Sequence, residues 1–442
     1  MKPPVLSPQV LDGLRRVGDP RVQVQALTKS TAKGYEPGYP GKGTPPDAVV
    51  KAAESDANEY LANVQDTYGA HPGRMITRAR KLFVRYGDEI SAALLLCGLP
   101  ESYAAEWGAP VLIAHGDLVW QLPRRIRQTA MFLLGIMTEN KPNVIQRRST
   151  PGTASAGPRL IDTTSTFFQQ CVWLRVFHAS IRQSLLDDST ARAAVEVRSA
   201  PPLSVPLNQE DLLATLLTFS VTTFRVLDTF GIALDDEDRE AYVFLWNLVG
   251  ACLGVGTPTV GAELRTLAAK DKDNDWGGLV PAAWMLPDTV GKAYELLDQM
   301  QDRQWISVQT TLDLGRPFPW TDLVPGRTLV TALLAGLADA MPPSRKAWPA
   351  IVMRELVPEP VQARLGLQRT GMIGLAGYAL NGTRGGKRVR STALRLMAND
   401  VTRQAMQRFL QADGPAPFRI PGLDLSQLSP IRRASPYELR TR

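Results

Sequence analysis

The chain has 442 residues, 44% hydrophobic and 21% charged, a make-up that fits a globular protein and excludes a disordered or collagen-like one. Its formal charge is +7, and no unbroken apolar run approaches the roughly 18–20 residues that span a bilayer. The three cysteines, Cys97, Cys171 and Cys252, each lie in or beside an apolar stretch and form no Cys-x-x-Cys pair. They read as small buried hydrophobes, not as a disulfide framework or a thiolate zinc site.

Residues 1–46 carry eight prolines and six glycines and read as an irregular N-terminal arm. Within it, Arg15-Arg16 is followed by Val-Gly-Asp-Pro-Arg where an export signal would need an apolar core. A cytoplasmic location is therefore the expectation, with secretion if the sequence is a trimmed mature form. From Asp47 the apolar spacing turns helical, predicting helices over 47–68, 88–96 and 117–138. The stretch 140–157, rich in Pro, Ser, Thr and Gly, reads as a loop. Further helices are predicted over 163–186, 209–230, 236–253, 289–303, 327–340 and 388–411. Asp235-Asp236-Glu237 and Asn208-Gln-Glu-Asp211 place carboxylates at first turns, where the helix dipole favours them. Period-two strand patterns are scarce, so the expectation is one all-α domain over 47–413 with an irregular proline-rich tail over 414–442.

Between Arg384 and Arg408 seven basic residues face one acid, Asp400. Such a strip suits nucleic acid, anionic lipid or an acidic partner, or is simply a solvated helix face. No groove-reading motif or aromatic interleaving accompanies it, so no specific nucleic-acid partner is expected.

Only three histidines occur: His71, His115 and His178. His71 precedes Pro72-Gly73 and His115 precedes Gly116-Asp117, which suits solvated or capping roles. His178 is different. Arg175, His178 and Arg182 share one helix face amid Val172, Trp173, Leu174, Val176, Phe177, Ile181 and Leu185. A helix apolar on nearly all sides belongs in the interior, and guanidinium groups there need anionic partners. Two readings satisfy this. Either the arginines neutralise the propionates of a haem whose iron takes the imidazole, or they pair with acids of other helices around a satisfied core histidine. Upstream, Arg125, Gln128 and Thr129 share a face of a helix that continues into Ala-Met-Phe-Leu-Leu-Gly-Ile-Met.

Arg175-x-x-His178-Ala-x-x-Arg182 resembles the proximal haem motif of the latex-clearing, or rubber oxygenase, superfamily, and Arg125-x-x-Gln128-Thr129 resembles its distal Arg-x-x-Lys-Thr. The stretches 206–220 and 242–254 are similar to the same superfamily, and the likeness runs from roughly Leu99 to Gly254, with weaker echoes to about Leu367. The resemblance implies an all-α fold with a globin-like core extended by N- and C-terminal helices. It also implies haem b, with His178 on the iron. Arg125, Arg175 and Arg182 would be pocket cations, Thr129 and Gln128 polar groups facing bound oxygen, and Thr215 a further lining residue. The implied reaction is oxidative C=C cleavage of polyisoprene or a related hydrophobic alkene by O2. Other possibilities are a haem oxygenase acting on a smaller apolar or lipid substrate, and a non-catalytic haem or lipid binder. Gln128 replaces the family lysine, so an amine-capped iron is not expected. No acid stands at the family glutamate's offset, which is Ala109 here; Glu106 is the nearby candidate base.

Overall fold

The structure, a computed structural model, describes residues 5–22, 45–68, 72–114, 122–139, 144–146, 159–187, 205–270, 280, 284–313, 325–367 and 384–411. It is built almost wholly of helices, in line with the all-α expectation. In chain order they are α1 (Pro8–Arg15), α2 (Asp47–Tyr68), α3 (Pro72–Ala93), a π-helical segment (Leu94–Gly98), α4 (Leu99–Tyr103), α5 (Ala109–Ala114) and α6 (Leu122–Met137). Two short strands, β1 (Val144–Gln146) and β2 (Arg159–Ile161), pair antiparallel; β1 falls in the stretch read as a loop and β2 just after it. Then come α7 (Thr166–Asp187), α8 (Gln209–Thr229), α9 (Asp236–Cys252), α10 (Pro258–Lys270), α11 (Val290–Asp313), α12 (Pro325–Ala340), α13 (Trp348–Leu356), α14 (Glu359–Leu365) and α15 (Arg384–Gln411).

Most of the long periodic helices fall close to their predicted places, but the helix expected over 88–96 begins at Pro72 and gives way to the π segment at Leu94; both predicted acidic starts are caps. Asn208 accepts from the Asp211 N–H at 2.9 Å and Asp235 from the Asp238 N–H at 2.7 Å. Arg78 of α3 closes on Asp235, Glu237 and Asp238, tying α3 to the start of α9. All three cysteines are buried. The helix α8 is long and apolar enough to cross a membrane, yet most of it is buried against the rest of the protein.

The N-terminal arm departs from expectation. Residues 8–15 are helical, started by Ser7, whose side chain caps the Val10 N–H, with Pro8 at the first position. Val10, Leu11 and Leu14 are fully buried in the common core. Proline and glycine content suggested irregular chain, but here the proline occupies the one helical turn that tolerates it. The segment continues as a strap over α8: the N–H groups of Val205 and Gln209 donate to the carbonyls of Arg15 and Val17, at 2.8 and 2.9 Å.

Two glycines are explained by this packing. A Cβ on Gly18 would stand 2.8 Å from the Arg182 guanidinium, and one on Gly254, whose φ is +74°, would stand 2.4 Å from Arg175 Nη2. Gly254→Ala is therefore expected to destabilise the fold by at least about 1–3 kcal/mol through backbone strain and displacement of Arg175. Gly291→Ala, in α11 with open space around it, should be neutral or slightly stabilising; urea midpoints compare the two.

Candidate active site in the helical core

The site begins at the junction of α3, the π segment and α4. Wider π turns re-aim the residues that follow them. Here Gly98 lets the turn come close to α8, where a Cβ would be 3.4 Å from the Thr218 carbonyl. Glu101, one turn on, is thereby buried completely. Its carboxylate accepts from the Thr222 hydroxyl at 2.5 Å, pairs with Arg225 and receives the Cys97 thiol at 3.7 Å. Burial pushes its pKa up, and Arg225 and Thr222 only partly oppose the shift.

A cavity, open to solvent at exposed Thr215, spans from Glu101 to α7. Its wall is mainly apolar, with Leu99, Phe132, Leu174, Leu216, Phe219 and Trp246 prominent, and it also carries Arg125, Gln128, Thr129, His178 and Thr215. Five residues singled out in the sequence, from three helices, thus meet on one surface. Gln128 is buried and its carbonyl oxygen accepts from Arg125 Nη1 at 3.1 Å, while the Arg125 guanidinium lies 5.2 Å over the Phe177 ring. The hydroxyls of Thr129 and Thr215 donate backward to the carbonyls of Arg125 and Asp211, at 3.0 and 2.8 Å. Their lone pairs remain able to accept from a ligand.

His178 is half-buried. Nδ1 is occluded and has no hydrogen-bond partner among the described residues, which leaves Nε2 as the ring nitrogen a ligand could reach. Burial, reinforced by the positive charges of Arg182 and Arg125, pushes its pKa down to about 3. The imidazole is therefore neutral at physiological pH, which is the state a metal requires. It is not the satisfied core histidine that the second sequence reading supposed.

The flanking arginines do follow that second reading. Arg175 is not among the residues lining the cavity. It donates to Asp19 at 2.6 and 2.9 Å, to Asp56 at 2.9 Å and to the Cys252 carbonyl at 3.2 Å. Burial alone would lower its pKa, but the two carboxylates outweigh that and raise it. Arg182, also off the wall, donates to the carbonyls of Pro206 and Leu207 at 3.1 and 2.6 Å. Both arginines point toward the N-terminal strap, so the expectation that they face a ligand beside His178 is corrected. Their acceptors lie in loops and in a strap far off in sequence, which spacing within one helix cannot reveal. Glu106 is likewise absent from the wall and lies in the field of Arg364. His71, His115 and the tail from residue 412 lie outside the described residues.

Residues that motif reasoning passed over complete the wall. Glu101, which closes the run Leu94-Leu-Leu-Cys-Gly-Leu-Pro, lies on the wall where Glu106 does not. Tyr103 is buried, with no partner for its hydroxyl among the described residues. Arg364, from α14, supplies a second wall cation whose pKa burial lowers to about 10.

The fold and the cavity define an all-α protein with a mainly apolar cavity that carries a neutral imidazole, a buried acid and two cations on its wall. Residues 85–378 match the family described as ER-bound oxygenase mpaB/B'/Rubber oxygenase, catalytic domain, and the chain belongs to that oxygenase family. Among solved structures, latex clearing protein LCP in its closed state superposes with a TM-score of 0.51 at 16% identity, over 96% of this chain and 91% of that one. That likeness is one of fold. No curated protein matches the sequence significantly.

Proposed function

We propose that the protein is a haem b-dependent oxygenase that cleaves C=C bonds of a polyisoprene-like hydrophobic alkene with O2, leaving a carbonyl on each carbon. The observation that carries this reading is His178, neutral and reachable on the wall of an apolar chamber. Among the described residues no group of three or more His, Cys, Asp or Glu could hold a metal. A lone imidazole suits a metal that brings its own ring of donors, as haem does. The side chains present fit that group: His178 for the iron, and Arg125 and Arg364 as wall cations for its carboxylates. When bound, haem would supply the redox chemistry that activates O2.

The remaining work falls to the chain itself. The apolar wall would admit an alkene and exclude water. Gln128, an amide and a poor metal ligand, would not compete with O2 for the group, and its N–H groups would donate to an oxygen atom held beside them. Glu101 would accept an allylic proton from the substrate, its raised pKa making the carboxylate a better base than a solvated one.

The reading is tested by titrating purified protein with haemin and then measuring O2 uptake with squalene or polyisoprene latex. A Soret band and alkene-dependent uptake are expected. No Soret band sinks the haem assignment, and a band without uptake on any apolar alkene indicates a carrier. Glu101→Gln keeps the shape and a Thr222 contact, so its Soret band should be unchanged while turnover falls by about 10²–10⁴. Wild-type turnover should also fall as pH drops through the raised carboxyl pKa, because the protonated acid cannot accept a proton, and the variant should lack that limb.

A further inference from the structure

Among the described residues, four large hydrophobic side chains are exposed: Val84 (77%), Leu134 (40%), Val389 (59%) and Leu396 (65%). Single exposed hydrophobics are ordinary; these four lie on helices that pack on one another. Val84 stands on α3, Leu134 on α6 and the other two on α15. Val389 and Leu396 are seven residues apart and so share a face.

Their neighbours are cationic. Exposed Lys81 and Arg85 flank Val84, and exposed Arg388 precedes Val389, while Lys387, two residues before Val389, stands on the opposite side of α15. Part of the basic α15 strip is neutralised internally, since Arg390, Arg395 and Arg403 pair with Glu355, Glu89 and Asp88. Arg388 has no acidic partner among the described residues. It also lies in the first turns of α15, where the helix dipole disfavours cations. Helix stability therefore does not account for it, whereas an external anionic surface does.

We propose that the face formed by α3, α6 and α15 docks on an anionic lipid surface. Nucleic acid would leave the interspersed valine and leucine side chains with nothing apolar to meet, and the face offers no aromatic platform for bases. At a lipid interface the cations meet headgroups while Val84, Val389 and Leu396 sink to the acyl boundary. Arg125, Gln128 and Thr129 of the cavity wall lie on α6, one of the docking helices. The face would thus bring the chamber to the phase in which an apolar substrate dissolves. Docking itself does not depend on the haem assignment.

The test is co-flotation of the full-length protein with vesicles of phosphatidylcholine plus phosphatidylglycerol, against phosphatidylcholine alone. Binding is expected only to the mixed vesicles and should weaken with added salt. The pair Arg85→Glu/Arg388→Glu and the pair Val84→Glu/Leu396→Glu should each lower the partition coefficient by at least about tenfold. Thermal melts followed by circular dichroism confirm that these surface variants fold. Equal binding to both vesicle types, or wild-type partition by either pair, overturns the proposal. So does loss of binding in the charge pair alone together with competition by duplex DNA, which would make the face a polyanion site. A dimer dissolved by Leu396→Glu, with no vesicle binding, overturns it as well and makes the face an interface between copies.

Discussion

Replacing His178 by alanine is expected to abolish haem retention while leaving the helices in place. His178 is the only histidine among the described residues, and its Nδ1 has no partner there, so truncation strands no hydrogen-bonding group. The cost to the apoprotein is the small void left in α7. Haemin titration should show no Soret band in the variant, with far-ultraviolet circular dichroism unchanged. Full retention with an unshifted band would move the ligand to His71 or His115. The depressed pKa adds a second readout on the apoprotein. Between about pH 6.5 and 3 the unfolded chain takes up a proton on this residue and the folded chain does not. Stability is thus intact above that window and is lost as pH falls through it, at a slope of up to roughly 1.4 kcal/mol per pH unit for one proton. His178→Leu should remove this slope, as read from urea midpoints across the acid range.

Arg175→Ala is expected to have the largest effect on stability. It would leave the buried Asp19 carboxylate without its cation, leave Asp56 with Arg21 alone, and release the strap from α7. Breaking a buried pair in this way costs about 3–5 kcal/mol. The triple variant Arg175→Met/Asp19→Asn/Asp56→Asn removes the charges together and should recover much of the loss. The measurement is the urea midpoint of the apoprotein. Unchanged apoprotein stability together with weakened haemin binding would instead restore Arg175 to the ligand pocket, as its motif suggested.

The arginine motif shows where sequence reasoning stops. That α7 is buried and that Arg175 needs an anion follow from its apolar surroundings. Which anion it finds depends on Asp19, in a strap more than 150 residues earlier, and Asp56 on α2. Motif order alone assigned the haem role to all three residues of the face, whereas packing divides them between the cavity and the strap. The short elements α1, α4, α5, α10, α13 and α14 were missed for a related reason: each is held by burial against neighbours and is too brief for a periodic pattern to stand out. Glu101 was passed over because its π-helical approach and its burial under α8 leave no trace in local spacing.

By itself the sequence determined the all-α class and most of the long helices with their caps, because helical periodicity and capping are local properties; the set Arg125, Gln128, Thr129, His178 and Thr215 came from its resemblance to the oxygenase family. Only the tertiary structure decided that these five share one cavity, that Glu101 and not Glu106 lies on its wall, and that Arg175 and Arg182 turn away from it. Those outcomes depend on which buried charges meet and on how much desolvation each one retains, and both are settled by contacts between segments far apart in the chain.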